Sequence, residues 1–305
     1  MLWGIVYIRV KLVLSRMRCV LADNKGCQPK YKIVFRENFY MKILYYDCFC
    51  GISGDMNLGA MIDLGIDPDY LKAELLKLNL QDEYHLEIYK SSKNGIGGTR
   101  VDVVLTPEKT KDSVVLTKKL IINTHEYMHH EHKKNHHRNL KEIEQIIQES
   151  ELDEKIKERS LKMFRKVAEA EAKVHQKDLY EVHFHEVGAT DSIIDFVGAA
   201  IALEKLQVDK IMASTVQLGG GFVSCAHGMI PVPAPATVEL LQGIPVAKGV
   251  VAAETTTPTG AAILAANVDI FCDKIRFSIE KTGYGIGYRE LCIPNVLRVF
   301  LGEED

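Results

Sequence analysis

The stretch Met41-Lys-Ile-Leu-Tyr-Tyr-Asp47, continuing through Cys48-Phe-Cys-Gly-Ile-Ser-Gly-Asp-Met56 into Asn57-Leu-Gly-Ala-Met-Ile-Asp-Leu64, decides the fold class. A short apolar run that suits a strand ends in a glycine-containing turn. Apolar residues at helical spacing follow, until Gly65 stops them. The pattern is strand, loop, helix, with Ser53 or Asp55 as the cap. Backbone amides at such a helix start favour an anion. Asp47 at the strand end and Asp55 at the helix mouth can instead hold a metal, or serve structure alone.

Outward from this unit, a second helix is predicted over residues 70–78, and strands over 85–91 and 99–105. The strands are joined through Asn94-Gly95 and Gly97-Gly98, a hairpin signal. Asn139 and Glu142 form a capping-box pattern that opens a helix to about residue 148, and Ser150 is read as the cap of another running to about 175. A strand over 181–185, a helix over 192–206 and a strand over 210–218 make a further β-α-β passage. The expected architecture is α/β: a mixed sheet with helices packed on it, formed by residues 41–305, plus a mobile histidine-rich loop.

With 305 residues, 47% of them hydrophobic and 26% charged, the chain has material for one large domain or two small ones. A net charge of −3 leaves no basic stripe to neutralise phosphates, so DNA and RNA are not expected partners. Seven cysteines, an odd number without framework spacing, suggest reduced thiols and a cytoplasmic protein. The first forty residues stand apart, with eight Lys and Arg against two acidic residues, a net of +6 that leaves −9 for the rest. Arg9 and Lys11 interrupt their apolar stretch, which is too short for a bilayer and too charged for a signal-peptide core, so no membrane is expected. Residues 1–40 read as a non-native extension upstream of a start at Met41, or as a disordered basic tail.

The densest chemistry lies in Glu181-Val-His-Phe-His-Glu-Val-Gly-Ala-Thr-Asp-Ser-Ile-Ile-Asp195, with two histidines and four carboxylates. In an extended segment, residues i and i+2 share a face about 7 Å apart, so His183 and His185 can converge on one ion with Glu186 one step away. Asp191 and Asp195, four apart on a helix, can look back toward the imidazoles. This mixture of imidazole and carboxylate suits a first-row metal. The plain alternative is a capped helix, with Thr190 or Asp191 at the cap, after a polar surface strand. A second cluster, His125, His129, His130, His132, His136 and His137, holds six of the eleven histidines and has no apolar periodicity. It reads as a metal-loading or storage arm, or as a solvated linker.

In Leu218-Gly-Gly-Gly-Phe-Val-Ser-Cys-Ala-His-Gly-Met-Ile-Pro-Val-Pro-Ala-Pro-Ala-Thr237, the residues Gly219, Gly220 and Gly221 let backbone approach a ligand. Pro231, Pro233 and Pro235 stiffen the chain before a helix at about Ala236. His227 on this loop is a ligand or acid-base candidate, or braces the loop. Glu254-Thr-Thr-Thr-Pro-Thr-Gly-Ala-Ala262 offers Thr255, Thr256 and Thr257 at another helix start, which can cradle a phosphate or simply cap the helix. Gly283-Tyr-Gly-Ile-Gly287 opens no apolar helix, so it is no dinucleotide fingerprint.

The segments 47–56, 181–192, 227–237 and 257–261, taken in this order, resemble the LarC family of nickel insertion proteins, and the resemblance runs from Met41 to the end of the chain. It implies insertion of nickel into pyridinium-3,5-bisthiocarboxylic acid mononucleotide, a lyase-type cyclometallation that forms the nickel-pincer cofactor of lactate racemase-type enzymes. It also implies use of CTP with a divalent cation, Mg or Mn, bound by a C-terminal domain expected to be missing here. That domain can come from a separate polypeptide, since some relatives are split by a frameshift. The apo lactate racemase-type enzyme is the expected recipient, and a homo-oligomer stays open. Cys50 departs from the family pattern, where a small residue such as Ser or Ala is expected; it either adds a soft ligand beside Cys48 or packs.

On this resemblance His183, His185, Glu186, Asp191 and His227 are the first metal-site choices, with Asp195, Asp47 and Asp55 further candidates. His227, Glu186 or Asp191 would act in proton transfer, a carboxylate or His227 accepting the ring proton. Gly219–Gly221 and Thr255–Thr257 would hold the nucleotide. A nickel metallochaperone or storage protein without turnover, and a metal-dependent hydrolase with an open water position, are the alternatives.

Overall fold

The computed structural model describes residues 41–106, 138–182, 184, 187–225 and 228–304. Residues 1–40, the histidine run 125–137, and His183, His185, Glu186 and His227 lie outside the described residues.

Strand β1 (Met41–Asp47) is flanked by β11 (Val296–Glu304), antiparallel with Met41 opposite Glu304 and Asp47 opposite Arg298, and by β4 (Lys210–Ala213), parallel. With β2 (Tyr84–Lys93), β3 (Ile96–Leu105), β9 (Ile270–Phe271) and β10 (Ser278–Ile286) they form a seven-stranded mixed sheet ordered β2-β3-β10-β11-β1-β4-β9. The β2–β3 hairpin closes with Lys93 opposite Ile96, so its two-residue turn is Asn94-Gly95, both at positive φ. That is the turn chemistry which matches strand twist. Gly97 and Gly98, expected to share in the turn, belong to β3.

Two helical layers cover one face. Helix α1 (Gly54–Leu64) lies on β10, β3 and β11. Its backbone comes so close that a Cβ at Gly285 would sit 1.8 Å from the Met56 carbonyl oxygen and one at Gly283 2.3 Å from that of Ala60. Gly283 and Gly285 of this run thus serve helix-on-sheet contact. Beside α1 runs α5 (Thr190–Leu206), apolar all round from Phe196 to Leu203, with Ile193, Ile194, Phe196, Val197 and Ile201 all buried. A helix with no polar face has to sit inside. Helix α4 (Glu154–His175) caps it from outside: Met163, Phe164 and Val167 turn inward, and Phe164 meets Phe196 edge-to-face with ring centroids 4.7 Å apart. Each such side chain contributes about 1.5–3 kcal/mol on burial. Helices α2 (Pro68–Leu76), α3 (Leu140–Glu149), α6 (Pro235–Leu240) and α7 (Pro258–Asn267) complete the layers. The opposite face of the sheet carries a thin cluster of Ile43, Tyr45 and Met212, edged by Phe277 and Phe300. Among the described residues no helix is long and apolar enough to cross a membrane.

Several boundaries differ from the sequence reading. Helix α1 starts at Gly54, and α2 starts at Pro68, where Asp67 accepts from the Asp69 amide. Ser150 does not open α4: it ends α3, its hydroxyl donating to the Ile147 carbonyl at 2.7 Å, and Asp153 caps α4. A four-residue break between the helices, 150–153, left both caps plausible by spacing. Among the described residues of 181–185 there is no strand; Glu181 is in a turn, while Val182 and Phe184 are buried as side-chain anchors without a ladder. The strand expected over 210–218 breaks at Ser214, whose hydroxyl oxygen accepts from the Cys48 amide, and at Thr215, held by Asp273. Its remainder, β5 (Val216–Gln217), pairs instead with β8 (Val246–Ala247). A separate hairpin joins β6 (Phe222–Cys225) to β7 (Gly228–Pro231).

Candidate functional site

Three helices begin around one cleft. The N-termini of α1, α5 and α7 bring Ser53, Gly54, Asp55, Asp191, Ser192, Asp195, Thr257, Pro258 and Thr259 to its walls, and Val187 and Glu254 complete a space of about 220 Å³. Helix starts present backbone N–H groups and the positive end of the dipole, which favour negative charge there. Four carboxylates line the cleft: Asp55 and Asp191 in the first turns of α1 and α5, Asp195 one turn further along α5, and Glu254 ahead of α7.

The loops that build the cleft are stitched backbone to backbone. Ile52 forms a bridge with Thr256, and the Thr257 amide donates to the Ile52 carbonyl at 3.1 Å. Gly54 is required by close approach, since a Cβ there would lie 2.0 Å from Asp195 Oδ2. The start of α5 is fixed by a polar bracket: Arg138 donates to Glu83 at 2.6 Å and to the Thr190 hydroxyl at 3.0 Å, and its amide donates to the Gly188 carbonyl at 3.1 Å. Ala189, not Thr190 or Asp191, holds the N-cap position and has no side chain to cap with. Asp191 Oδ1 accepts from the Ser192 amide at 2.7 Å.

Asp195 is the least compensated group. Its Oδ1 is closed off from solvent and has no hydrogen-bond donor among the described residues. Burial, then the nearby Asp55 and Asp191 charges, push its carboxyl well above the usual range. Asp55 is also pushed up, by burial first, against the Ser53 hydroxyl and the Met56 amide, which favour its charged form. Like charges in a poorly hydrated space hold protons or gather a cation.

The other sequence candidates fall elsewhere or serve the walls. Asp47 is engaged by Arg298, whose Nε donates to Oδ2 at 2.9 Å. Gly219 has φ +73°, and a Cβ there would lie 1.8 Å from the Ala253 carbonyl oxygen; the Gly220 amide donates to that same oxygen at 3.1 Å. The Gly219–Gly221 turn therefore clasps the segment leading to Glu254. The Thr255 and Thr256 hydroxyls both donate to the Gln217 carbonyl, at 2.8 and 2.6 Å, and Thr257 caps α7 by accepting from Gly260 at 3.2 Å. Of these three only Thr257 lines the cleft. Cys48 and Cys50 are buried free thiols, Cys50 pushed up to about 11 by burial, so both stay protonated at neutral pH. Among the described residues no three His, Cys, Asp or Glu side chains form a group that could hold a metal by themselves. The six histidines of 125–137, with His183, His185, Glu186 and His227, lie outside the described residues. Glu254 was not singled out in the sequence, and Ser53 only as a candidate helix cap, because their place in the cleft depends on which loops meet.

The nickel insertion protein family matches residues 44–305 of this chain. Over 275 residues the chain is 62% identical to the pyridinium-3,5-bisthiocarboxylic acid mononucleotide nickel insertion protein of Clostridium acetobutylicum, covering 87% of this chain and 65% of that protein. The protein of the same name from Clostridium kluyveri is 62% identical over 266 residues, covering 87% of this chain and 63% of its own. That from Desulfitobacterium hafniense is 43% identical over 263 residues, covering 86% and 59%. The chain thus spans less than two thirds of the length of these curated relatives. No solved structure matches it.

Proposed function

Because this chain belongs to the nickel insertion protein family, we propose that its cleft brings nickel and pyridinium-3,5-bisthiocarboxylic acid mononucleotide together, nickel being the cargo inserted. The observation that carries this reading is the ring of Asp55, Asp191, Asp195 and Glu254 at three helix starts, with an Asp195 oxygen that no donor satisfies. A divalent cation would neutralise this cluster and displace the protons it retains. One or two of Asp191, Asp195 and Asp55 would supply hard oxygen ligands, and His183, His185, Glu186 and His227 would supply the imidazole and carboxylate complement that nickel favours.

Insertion joins nickel to a ring carbon and to two thiocarboxylate sulfurs, and the ring carbon gives up one proton. A carboxylate that the cation has stripped of its proton but that stays off the metal is a competent acceptor for it, and whichever of Asp195 and Asp55 does not ligate fits that role. The use of CTP with Mg or Mn, a separate polypeptide carrying a CTP-binding domain, the apo lactate racemase-type recipient and a cytoplasmic setting belong to the same proposal. The segment His125, His129, His130, His132, His136 and His137 would load nickel without chemistry.

The test is direct: the protein is incubated with nickel, the thiolated pyridinium nucleotide, CTP and magnesium, with and without a separately supplied C-terminal domain of a relative. Formation of the nickel-carbon product is expected in at least one arm. Stoichiometric nickel binding without product in either arm would favour a metallochaperone or storage protein, and turnover of a simple phosphoester would favour a hydrolase.

A further inference from the structure

Among the described residues, several arginines near the cleft are firmly paired with carboxylates. Arg100 grips Asp102 through two nitrogens at 2.8 to 3.0 Å. Arg298 is bound to Asp47, and Arg138 is shared between Glu83 and Thr190. Arg289 is held more loosely: it shares a side-chain hydrogen bond with Tyr288, and its Nη2 lies 3.8 Å from Oε2 of Glu254, a residue of the cleft wall. At that distance a partly exposed pair is worth little, and a guanidinium carries five donors in a planar fork.

Arg289 is nevertheless held in place. The Tyr288 ring lies 5.0 Å from its guanidinium carbon. Asn295 donates to the Arg289 carbonyl at 3.3 Å, and the Gly287 amide donates to the Asn295 carbonyl at 2.9 Å. Lys93 supports the loop from beneath: its ammonium is buried, donating to the Tyr288 carbonyl at 3.5 Å and pairing with Glu290. A buried ammonium requires partners, and here they belong to the residues on either side of Arg289. Burial raises the Tyr288 phenol above its ordinary range, and the Glu254 and Asp55 charges add to the shift, in keeping with a loop beside the acidic cleft.

We propose that Arg289, oriented by Tyr288 and by the loop that Lys93 anchors, binds the phosphate of the pyridinium mononucleotide, a reading that rests on the proposed function above. Glu254 and Arg289 separate when both ligands arrive, the carboxylate turning to the metal side and the guanidinium to the phosphate. A cleft that is acidic on its floor, with Arg289 loosely paired beside its Glu254 wall, matches a substrate bearing an anionic tail beside a cationic cargo. A charge-assisted fork on phosphate is stronger than the 3.8 Å pair it replaces.

The experiment compares the thiolated nucleotide with its 5′-dephosphorylated nucleoside in the full chain, by calorimetric binding and, where product forms, by KM. Arg289→Ala should weaken the nucleotide by about tenfold or more, the loss expected for a hydrogen bond to a charged group, while leaving the nucleoside nearly unchanged. Arg289→Lys should recover part of the difference. Thermal melts of both variants check that the loop stays folded, and the lysine variant carries the test if the alanine variant does not. Equal weakening of nucleotide and nucleoside, or no weakening of either, overturns the assignment to phosphate. Wild-type protein that binds the nucleotide with this phosphate preference yet makes no product in any arm would sink the insertion reading alone. Product formation unaffected by Arg289→Ala would sink the phosphate site alone.

Discussion

Asp47 at the end of β1 and Asp195 in the second turn of α5 are both partly buried carboxylates, and both stand out in the sequence as metal candidates. Their surroundings are opposite. Asp47 faces Arg298, which donates from two nitrogens and stacks over Phe300 with its carbon 5.1 Å from the ring centroid. Asp195 faces Asp55 and Asp191, with one oxygen closed off and unsatisfied among the described residues. The first carboxylate is a structural ion pair that closes the end of the sheet. The second costs stability in the bare protein, and such a cost is characteristic of sites where a ligand completes the balance.

The largest expected effect breaks the comparison on the Asp195 side. Asp195→Ala should lower nickel insertion by about 100-fold or more, the range for loss of a group that ligates or transfers a proton, while the protein remains folded. Insertion within threefold of wild type would return Asp195 to a packing role. Next comes the bracket that orients it: Arg138→Ala releases the start of α5 from Glu83 and should weaken nickel binding by about tenfold, as loss of a supporting contact does. Full nickel affinity in that variant would mean that α5 is positioned by packing alone.

Stability sharpens the same contrast at smaller scale. Asp195→Asn should raise stability at neutral pH by about 1–3 kcal/mol, a few degrees in melting temperature, because an uncompensated charge is removed. The sign follows from the direction of the shift. With a folded pKa above the ordinary 3.8, the folded state holds this proton more tightly than the unfolded one, so its contribution is greatest at low pH and is lost as pH rises from about 4 through the folded value. Melting curves across pH should show that slope flattened in Asp195→Asn, and an unchanged slope would refute it. Asp47→Asn should act oppositely and least, destabilising by about 1 kcal/mol, since Arg298 stays partly hydrated. A chemical denaturation midpoint that does not fall would show the pair to be neutral.

Local signals were legible wherever a few neighbouring residues settle the outcome. Asn139 and Glu142 make the reciprocal capping box that their spacing predicts, at 3.0 and 2.8 Å. Asn94-Gly95 makes the hairpin turn, because only that pair tolerates the positive φ required. The strand-loop-helix at 41–64 and the α/β class followed from the change in apolar period. Reading failed where two local solutions were close, as with Ser150 and Asp153, and where a run of β-formers had no partner strand for its full length, as after Ala213.

Sequence by itself therefore determined the element types, the family resemblance and the choice of Asp55, Asp191 and Asp195 as residues of interest, since periodicity, caps and motif wording are written over short spans. Tertiary structure alone decided that Asp47 is taken up by Arg298, 251 residues away, and that Thr255 and Thr256 turn their hydroxyls to Gln217. It likewise decided that Glu254 and Arg289 meet beside Asp55. The strength of a charge is set by the charges and donors that folding brings within a few ångströms, and no spacing along the chain records which distant segments those will be.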